Sequence, residues 1–459
     1  MNIQHRLKAA ASIRYVLLLA FIIRSIVPII AFIVTKDHRI FYSPDTGSYI
    51  RFATKLLLPY KGTPEIVRTP GYPILLLPGI LSGNTELITI FLQIILNCLT
   101  VYLIFRIALL LFKRVEIAMF CSVMYAVEPL SVLYAGKLLT ESLFTSAITL
   151  FLYCLLKYLK DRAIYPLLVS SIALAASVYI RPISYFLPVF ITGILLVWIF
   201  TKMQRDTRLI LHVCVFLLLS SGLIGLWQLR NKIETGYSGF SAITDINLYF
   251  YQGASVLAAK QGISYYEMQD RMGYHDTETY LSNHPDQVEW SQNKKYEYMR
   301  KEGIKIVINN PFVYSTIHLK GMFRTLFDPG AIEYLKMFRL YPESGGLLGV
   351  IIDKGLVRTL IHLIRERPLI FWSNLLLGLI AALYLLLGLI ALLSKNFTNN
   401  MPMITVLSVG TYFLIMSGGP NSLARFRHPI MPIICILAGY GFFVITTKLN
   451  NRGGTTMSK

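Results

Sequence analysis

Charge is what this 459-residue sequence has least of: 15% of its residues are Asp, Glu, Lys or Arg, against 55% hydrophobic. With a mean hydropathy of +0.57, that scarcity excludes an ordinary soluble domain and implies a polytopic membrane protein. Acidic residues are scarcer still, 24 against 44 basic, leaving a net charge of +20. In a soluble chain such an excess would suggest a nucleic-acid partner. Here much of it lies in short loops between apolar runs, where basic residues set orientation, and no nucleic-acid module accompanies it, so no nucleic acid is expected. Cysteine is sparse as well. Cys98, Cys121, Cys154, Cys214 and Cys435 all fall inside apolar runs and read as packing residues, which excludes a disulfide or metal framework. There is no HExxH or similar pair, and His275, His284 and His318 are irregularly spaced. A histidine metal site is therefore not expected, while a divalent cation held by Asp45 or Glu141 stays open. No internal repeat is visible, which weakens an inverted-repeat transporter.

What the sequence has is apolar runs. A span needs about 20 mostly apolar residues, and ten stretches meet or approach that: roughly 15–34, 86–105, 115–134, 138–156, 163–180, 183–200, 209–229, 368–393, 402–418 and 429–447. The first follows Arg6, Lys8 and Arg14 without a small-residue cleavage pattern after it and is expected to be a retained span. With a cytoplasmic N-terminus, the short inside segments carry Arg106, Lys113 and Arg114, then Lys157, Lys160 and Arg162, then Lys202, Arg205 and Arg208, then Lys395, with Lys448 and Arg452 in the tail. All are basic, as the positive-inside rule requires. The long hydrophilic stretches then share the outer face. The expected organisation is an N-terminal transmembrane module over 1–229 with a first outer loop at 35–85, a loop and helical cap over 230–367, and C-terminal spans over 368–459. Between 311 and 365, apolar stretches broken by Lys320, Arg324, Asp353, Lys354 and Arg358 read as interfacial helices or one further hairpin, giving ten to twelve spans.

The most informative stretch is FYSPDTGSYIRFATKLLLPYKGTPEIVRTPGYP, residues 41–73, a polar island between apolar runs. It sets Asp45, Arg51, Lys55, Lys61, Glu65 and Arg68 at a bilayer edge, where ionisable groups are costly. Tyr49, Phe52, Ala53, Leu56, Leu57 and Tyr60 recur at helical spacing with Ser48, Arg51, Thr54 and Lys55 opposite, which predicts a short interfacial helix capped by Ser43 or Asp45. Two readings of Asp45 stand on spacing alone. It is a capping carboxylate stabilised by the helix dipole, or it faces Arg51, Lys55 and Arg68 in a site for an anionic substrate such as a sugar phosphate. Phosphate leaves without protonation, so transfer of its sugar needs one base on the acceptor hydroxyl and cations on the phosphate, not paired carboxylates.

Other turns on the same expected face repeat the theme. LLTESLF carries Glu141, YIRPISYFLP carries Arg181, LWQLRNKIETG carries Arg230, and GGPNSLARFRHPIMP carries Arg425, Arg427 and His428. Any one arginine could be snorkelling to lipid headgroups. Five such turns with basic residues beside Pro or Gly, against the positive-inside tendency, point to a shared anion site.

In this order, SPDTGSY, VRTPGYP, LLTESLF, YIRP, LWQLRNKIETG, NNPFVY and RFRHPIMP resemble the polyprenyl-phosphate-sugar-dependent glycosyltransferases of the GT-C fold, in particular bacterial members related to the protein O-mannosyltransferases and the lipid A aminoarabinose transferase. The resemblance implies an all-α membrane protein in a bacterial inner membrane, with its active site on the periplasmic face under the cap. It also implies Asp45 as catalytic base, Arg68 with Arg51, Lys55, Tyr72, Arg181, Arg230, Arg425 and Arg427 on the lipid phosphate or sugar, and Glu141 in support. The implied partners are a polyprenyl-phosphate-linked sugar donor and a glycan, lipid or protein acceptor. The chain has Asp-Thr-Gly at 45–47 where many such relatives have Asp-Glu, so neither a metal requirement nor a protein acceptor follows. A lipid-linked glycan flippase would instead need charges along a path through spans that are nearly free of them, and an O-antigen polymerase or ligase would use a diphosphate donor.

Overall fold

The computed structural model describes residues 3–58, 64–203, 205–341, 361, 363–394 and 400–453. Lys61, Lys395 and the 342–360 part of the expected cap lie outside the described residues. The N-terminal part runs through α1 (Ile3–Thr35), α2 (Thr46–Leu57), α3 (Gly71–Leu81), α4 (Thr85–Phe112), α5 (Val115–Ala126), α6 (Pro129–Ala135), α7 (Glu141–Asp161), α8 (Ile164–Ile180), α9 (Leu187–Lys202) and α10 (Thr207–Thr235). The middle segment folds as α11 (Ile243–Ile246), a π-helical turn Asn247–Gly253, α12 (Ala254–Gln261), α13 (Tyr265–Arg271), α14 (Thr277–Asn283), α15 (Gln292–Ile308), α16 (Pro311–Phe327) and α17 (Ala331–Met337). The chain closes with α18 (Pro368–Leu393), α19 (Met401–Met416) and α20 (Met431–Gly453).

Each of the ten expected spans falls on helical structure, the third on two helices. Among the described residues, seven helices are long and apolar enough to cross a membrane, α5 and α6 together make an eighth bent by 55°, and α8 and α19 are shorter apolar helices. The protein is a multi-pass, all-helical membrane protein. The expected boundary at 229 falls inside α10, which continues to Thr235 before Gly236 closes it in a left-handed conformation. Within the polar loop, PILLLPGIL folds as α3, an 11-residue apolar helix too short to span.

The third expected span, continuous over 115–134, is broken in the structure. Pro129 has no N–H to continue the ladder and disfavours helical backbone at the residue before it. Glu128 is accordingly extended (φ −66°, ψ 122°), and its carboxylate caps the second half by accepting from the Leu130 and Ser131 N–H groups. The break strands carbonyls at the end of α5 inside the bundle. Arg24 of α1 is fully buried and serves them, donating to Ala126 O at 2.6 Å, Tyr125 O at 2.9 Å and Ser131 Oγ at 2.8 Å. The expectation that the spans hold almost no charge therefore needs one correction: Arg24 is an interior cation. Its function is to satisfy backbone groups that no water reaches.

Further polar bonds register the bundle. Between α4 and α7, the Asn97 amide donates to Ser142 Oγ at 2.9 Å and the Thr100 and Ser146 hydroxyls pair at 2.8 Å, a familiar device where apolar surfaces cannot discriminate helix from lipid. Arg24→Met is predicted to leave the Ala126 carbonyl unpaired, Tyr125 O keeping the Glu128 N–H and the Ser131 hydroxyl, and to destabilise the protein by on the order of 1–3 kcal/mol. Thermal melting of the detergent-solubilised protein checks this; an unchanged midpoint contradicts the role given to Arg24.

Candidate active site

Three anchor points gather the polar loops. The turn between α6 and α7 is tied to the first loop by Leu138 N–H on Phe41 O (2.9 Å), Lys137 Nζ on Ile40 O (2.7 Å) and Thr46 Oγ1 on Leu138 O (2.9 Å). The buried Gln93 amide holds the same turn from below, donating to Ala135 O and Lys137 O. These bonds set Glu141, at the start of α7, beside Asp45, at the start of α2. Second, the RTPGYP loop is fastened to the end of α8: Thr69 Oγ1 donates to Ile180 O at 3.1 Å, and Gly71 approaches the Tyr179 carbonyl so closely that a Cβ would lie 2.7 Å from it. That contact needs glycine and brings Arg68 next to Arg181. Third, the 3₁₀ turn Ala424–Ile430 is held by Arg427, whose guanidinium donates to Thr325 O and Asp328 O, and by His428, whose Nδ1 lies 2.7 Å from Thr145 Oγ1. Arg425, two residues before Arg427 in the same turn, is turned into the cluster.

The result is a chain of five ionised side chains. Arg68 Nη2 donates to Asp45 Oδ1 at 2.8 Å and Arg425 Nη2 to Asp45 Oδ2 at 3.2 Å. Arg425 Nε lies 3.0 Å from Glu141 Oε1 as an ion contact without hydrogen-bond alignment, and Arg181 Nη1 donates to the same oxygen at 3.2 Å. Three guanidinium groups against two carboxylates leave a formal charge of +1. Accessibility divides the acids: the Glu141 side chain is 0% exposed and Asp45 is 28% exposed. Glu141 thus braces two arginines from within, and Asp45 is the carboxylate of the pair that is open to solvent. Burial alone would raise the pKa of Asp45, but Arg425 and then Arg68 outweigh it and hold the group below the usual carboxylate range. Aromatic rings floor the site. The Arg68 guanidinium lies 5.0 Å from the Tyr49 ring centre, and Phe426 sits 5.5 Å from that of Arg425 and 5.6 Å from that of Arg181.

Of the residues singled out from sequence, Asp45, Arg68, Glu141, Arg181 and Arg425 are brought together. The others are placed elsewhere, which corrects the expected cation set. Asp45 holds the N-cap position of α2 but makes no capping bond, its carboxylate being turned to the arginines. Arg51 and Lys55 lie on the exposed face of α2, opposite buried Tyr49, Phe52 and Ala53, because helical periodicity points them away from the side that packs. Arg230 pairs with Glu234 at 2.7 Å and donates to Glu65 O at 2.9 Å. Glu65 in turn accepts from the Val67 and Arg68 N–H groups, so Arg230 steadies the Arg68 loop without entering the cluster. Arg427 is spent on backbone carbonyls. Tyr72 is fully buried, donates to Gln93 Oε1 at 3.0 Å and meets Tyr49 edge-on, one layer behind the site. Gln93 and Phe426 carry no signal in the sequence beyond their neighbours' motifs, while Tyr49 reads there only as an apolar position of the interfacial helix and His428 only as a member of the last outer turn. Among the described residues no three His, Cys, Asp or Glu side chains converge as metal ligands.

The chain was compared with known proteins. Residues 74–225, 152 of the 459, match the family described as dolichyl-phosphate-mannose-protein mannosyltransferase; this stretch includes Glu141 and Arg181 but not Asp45, Arg68 or Arg425. No curated protein sequence matches. The crystal structure of the Archaeoglobus fulgidus oligosaccharyltransferase in the apo form superposes with a TM-score of 0.51 at 14% identity, over 97% of this chain and 52% of that one. The chain spans about half the length of that enzyme. ArnT from Cupriavidus metallidurans, solved bound to undecaprenyl phosphate, is similar over 92% of this chain and 77% of its own at 14% identity, with a TM-score of 0.37, too loose an overlap to bear on this site. The chain is thus a multi-pass membrane protein of the GT-C fold, carrying over residues 74–225 the pattern of the dolichyl-phosphate-mannose-protein mannosyltransferases.

Proposed function

We propose that this protein is a glycosyltransferase that moves a sugar from a polyprenyl-phosphate donor to an envelope glycolipid, polysaccharide or protein on the extracytoplasmic face of the membrane. The observation that carries the proposal is the single reachable carboxylate, Asp45, held between two arginines from remote loops. The mannosyltransferase pattern over 74–225 supports the donor class.

The reaction follows from those groups. An acceptor hydroxyl donates its hydrogen bond to Asp45, and its oxygen attacks the anomeric carbon as the bond to the phosphate oxygen breaks. The proton ends on Asp45 and the lipid phosphate leaves as an anion onto Arg68 and Arg425. A single displacement inverts the anomeric centre, and no second carboxylate is needed at the leaving group. A carboxylate held at depressed pKa is a weak base, and the same geometry removes that objection. When the donor phosphate takes up the two guanidinium groups, Asp45 loses the partners that depress it and regains basicity.

Asp45→Asn is predicted to lower sugar transfer by about 10²–10⁴-fold while leaving binding of bare polyprenyl phosphate intact, measured with purified protein in detergent, labelled polyprenyl-phosphate sugars and envelope extract as acceptor. Incorporation without a second compartment excludes pure transport; an active Asn variant removes the mechanism. Trials with monophosphate and diphosphate donors separate this activity from a polymerase or ligase.

The ion pairs also fix a pH dependence. The pKa of Asp45 is depressed on folding from an ordinary 3.8, so its stabilisation is fully present above that value and is lost as pH falls below it, through the folded pKa. The difference in melting temperature between the wild type and Asp45→Asn is therefore predicted to stay flat from about pH 7 to about pH 5 and to close only below about pH 4. A difference that closes near neutrality contradicts a charged, arginine-bound Asp45.

A further inference from the structure

The middle segment presses its own residues against the Asp45 cluster. Ala242 N–H donates to Ile66 O at 2.8 Å and Ser241 Oγ to Val67 O at 2.6 Å, immediately before Arg68, and Ile66 shares a buried cluster with Tyr249, Phe250 and Ala254. On the other side, Gly419 (φ +117°) comes so near Gln252 that a Cβ there would lie 2.9 Å from the Gln252 amide. Gly419 belongs to the turn that leads to Arg425. The segment from 241 to 254 therefore bridges the loops that carry the two arginines.

That bridge contains the π-helical turn Asn247–Gly253. Such a widened turn is uncommon and is found often at functional sites, because it re-aims side chains that a regular helix would present elsewhere. This one is fixed by the buried Gln269, whose amide donates to Phe250 O and to the Tyr265 hydroxyl, both at 2.9 Å. Tyr251 follows Phe250. Its hydroxyl pairs with that of Tyr274, the two rings are 5.3 Å apart at 65°, and it lies close enough to Asp45 and Arg68 for their charges to act on it. Tyr274 is supported by Phe250 at 5.3 Å and by Gly273, whose φ of +77° turns the chain. Both tyrosines are half-buried. The Gln252 amide packs against Gly419 instead, its Oε1 atom buried and accepting no hydrogen bond among the described residues. Burial foremost, and then the hydrogen bond to Tyr274, push the Tyr251 pKa up, so the phenol stays neutral at working pH.

A wall of two half-buried phenol rings is suited to a ring with C–H groups on one face and hydroxyl groups at its rim. The ring face offers its negative quadrupole to C–H, and the phenol hydroxyls offer neutral donors and acceptors. We infer that Tyr251 and Tyr274 hold the sugar ring of the donor, and that the ring they select is a neutral hexose or pentose. This rests on the transferase reading and deepens it: Arg68 and Arg425 take the phosphate, and the wall takes the sugar attached to it.

The test measures affinity of the full-length protein in detergent for a short polyprenyl phosphate, bare or carrying one neutral hexose, one neutral pentose or one amino sugar. The wild type is expected to bind a neutral-sugar form at least about tenfold tighter than the bare lipid. Tyr251→Ala and Tyr274→Ala should lose most of that gain and bind the bare lipid within about twofold of the wild type. Tyr251→Phe and Tyr274→Phe, which keep the rings and melt with the wild type, should lose about threefold of the gain, so the result does not depend on the alanine variants folding. Undiminished gain in both series, or a gain confined to the amino sugar, overturns the inference while leaving the transferase reading in place. Failure of the wild type to bind even the bare lipid overturns both.

Discussion

The site depends on one shared charge. Asp45 gives one carboxylate oxygen to Arg68 and the other to Arg425, 380 positions away in the chain, and Glu141 sets a single oxygen between Arg425 and Arg181. Every long polar excursion of the N-terminal half and the last turn before α20 meet at these two acids. Without Asp45, Arg68 and Arg425 would face each other at the membrane edge with nothing between them. With it, the loops close on a cluster that is positive by one charge and has one partly exposed acid. That excess suits the binding of an anion, because the phosphate can replace Asp45 as the partner of two guanidinium groups already oriented for it.

What lets such a cluster form is the rigidity beneath it. Arg24 completes a broken helix, Gln93 holds the turn that starts α7, and Thr69 and Gly71 fasten one arginine loop to the helix end that carries another. These are neutral hydrogen bonds, or a cation on backbone carbonyls, placed where water is absent and an unmade bond is expensive. The ionised groups of the cluster are thereby held by contacts that do not themselves titrate near neutrality. In the proposed reaction the cluster can therefore trade partners without loosening the bundle.

Much of this was legible from residue pattern, and the failures have physical causes. The spans were legible because about 20 apolar residues leave few other options, and the motifs of the five clustered residues stood out as ionisable groups at a bilayer edge. Arg51 and Lys55 were attached to the cluster although their helical spacing already set them opposite Tyr49 and Phe52; proximity in sequence to Asp45 outweighed the period. Arg425 and Arg427 cannot be told apart in the sequence, since a 3₁₀ turn sets residues two apart about 120° from each other and nothing in RFRHP announces that turn. Arg24 was passed over because a lone arginine in an apolar run says nothing of the carbonyls it must serve, which exist only once Pro129 has broken a different helix. The π-helical turn and its tyrosines left no periodic signature at all.

The central claim is that Asp45 and Arg425, from opposite ends of the chain, act as one electrostatic unit. A double-mutant cycle of Asp45→Asn, Arg425→Gln and the pair, read by the unfolding free energy of the purified protein at neutral pH, tests it most directly. The structure predicts a coupling of roughly 1 kcal/mol or more, with the second substitution costing much less once the first is made. Additive losses would contradict it.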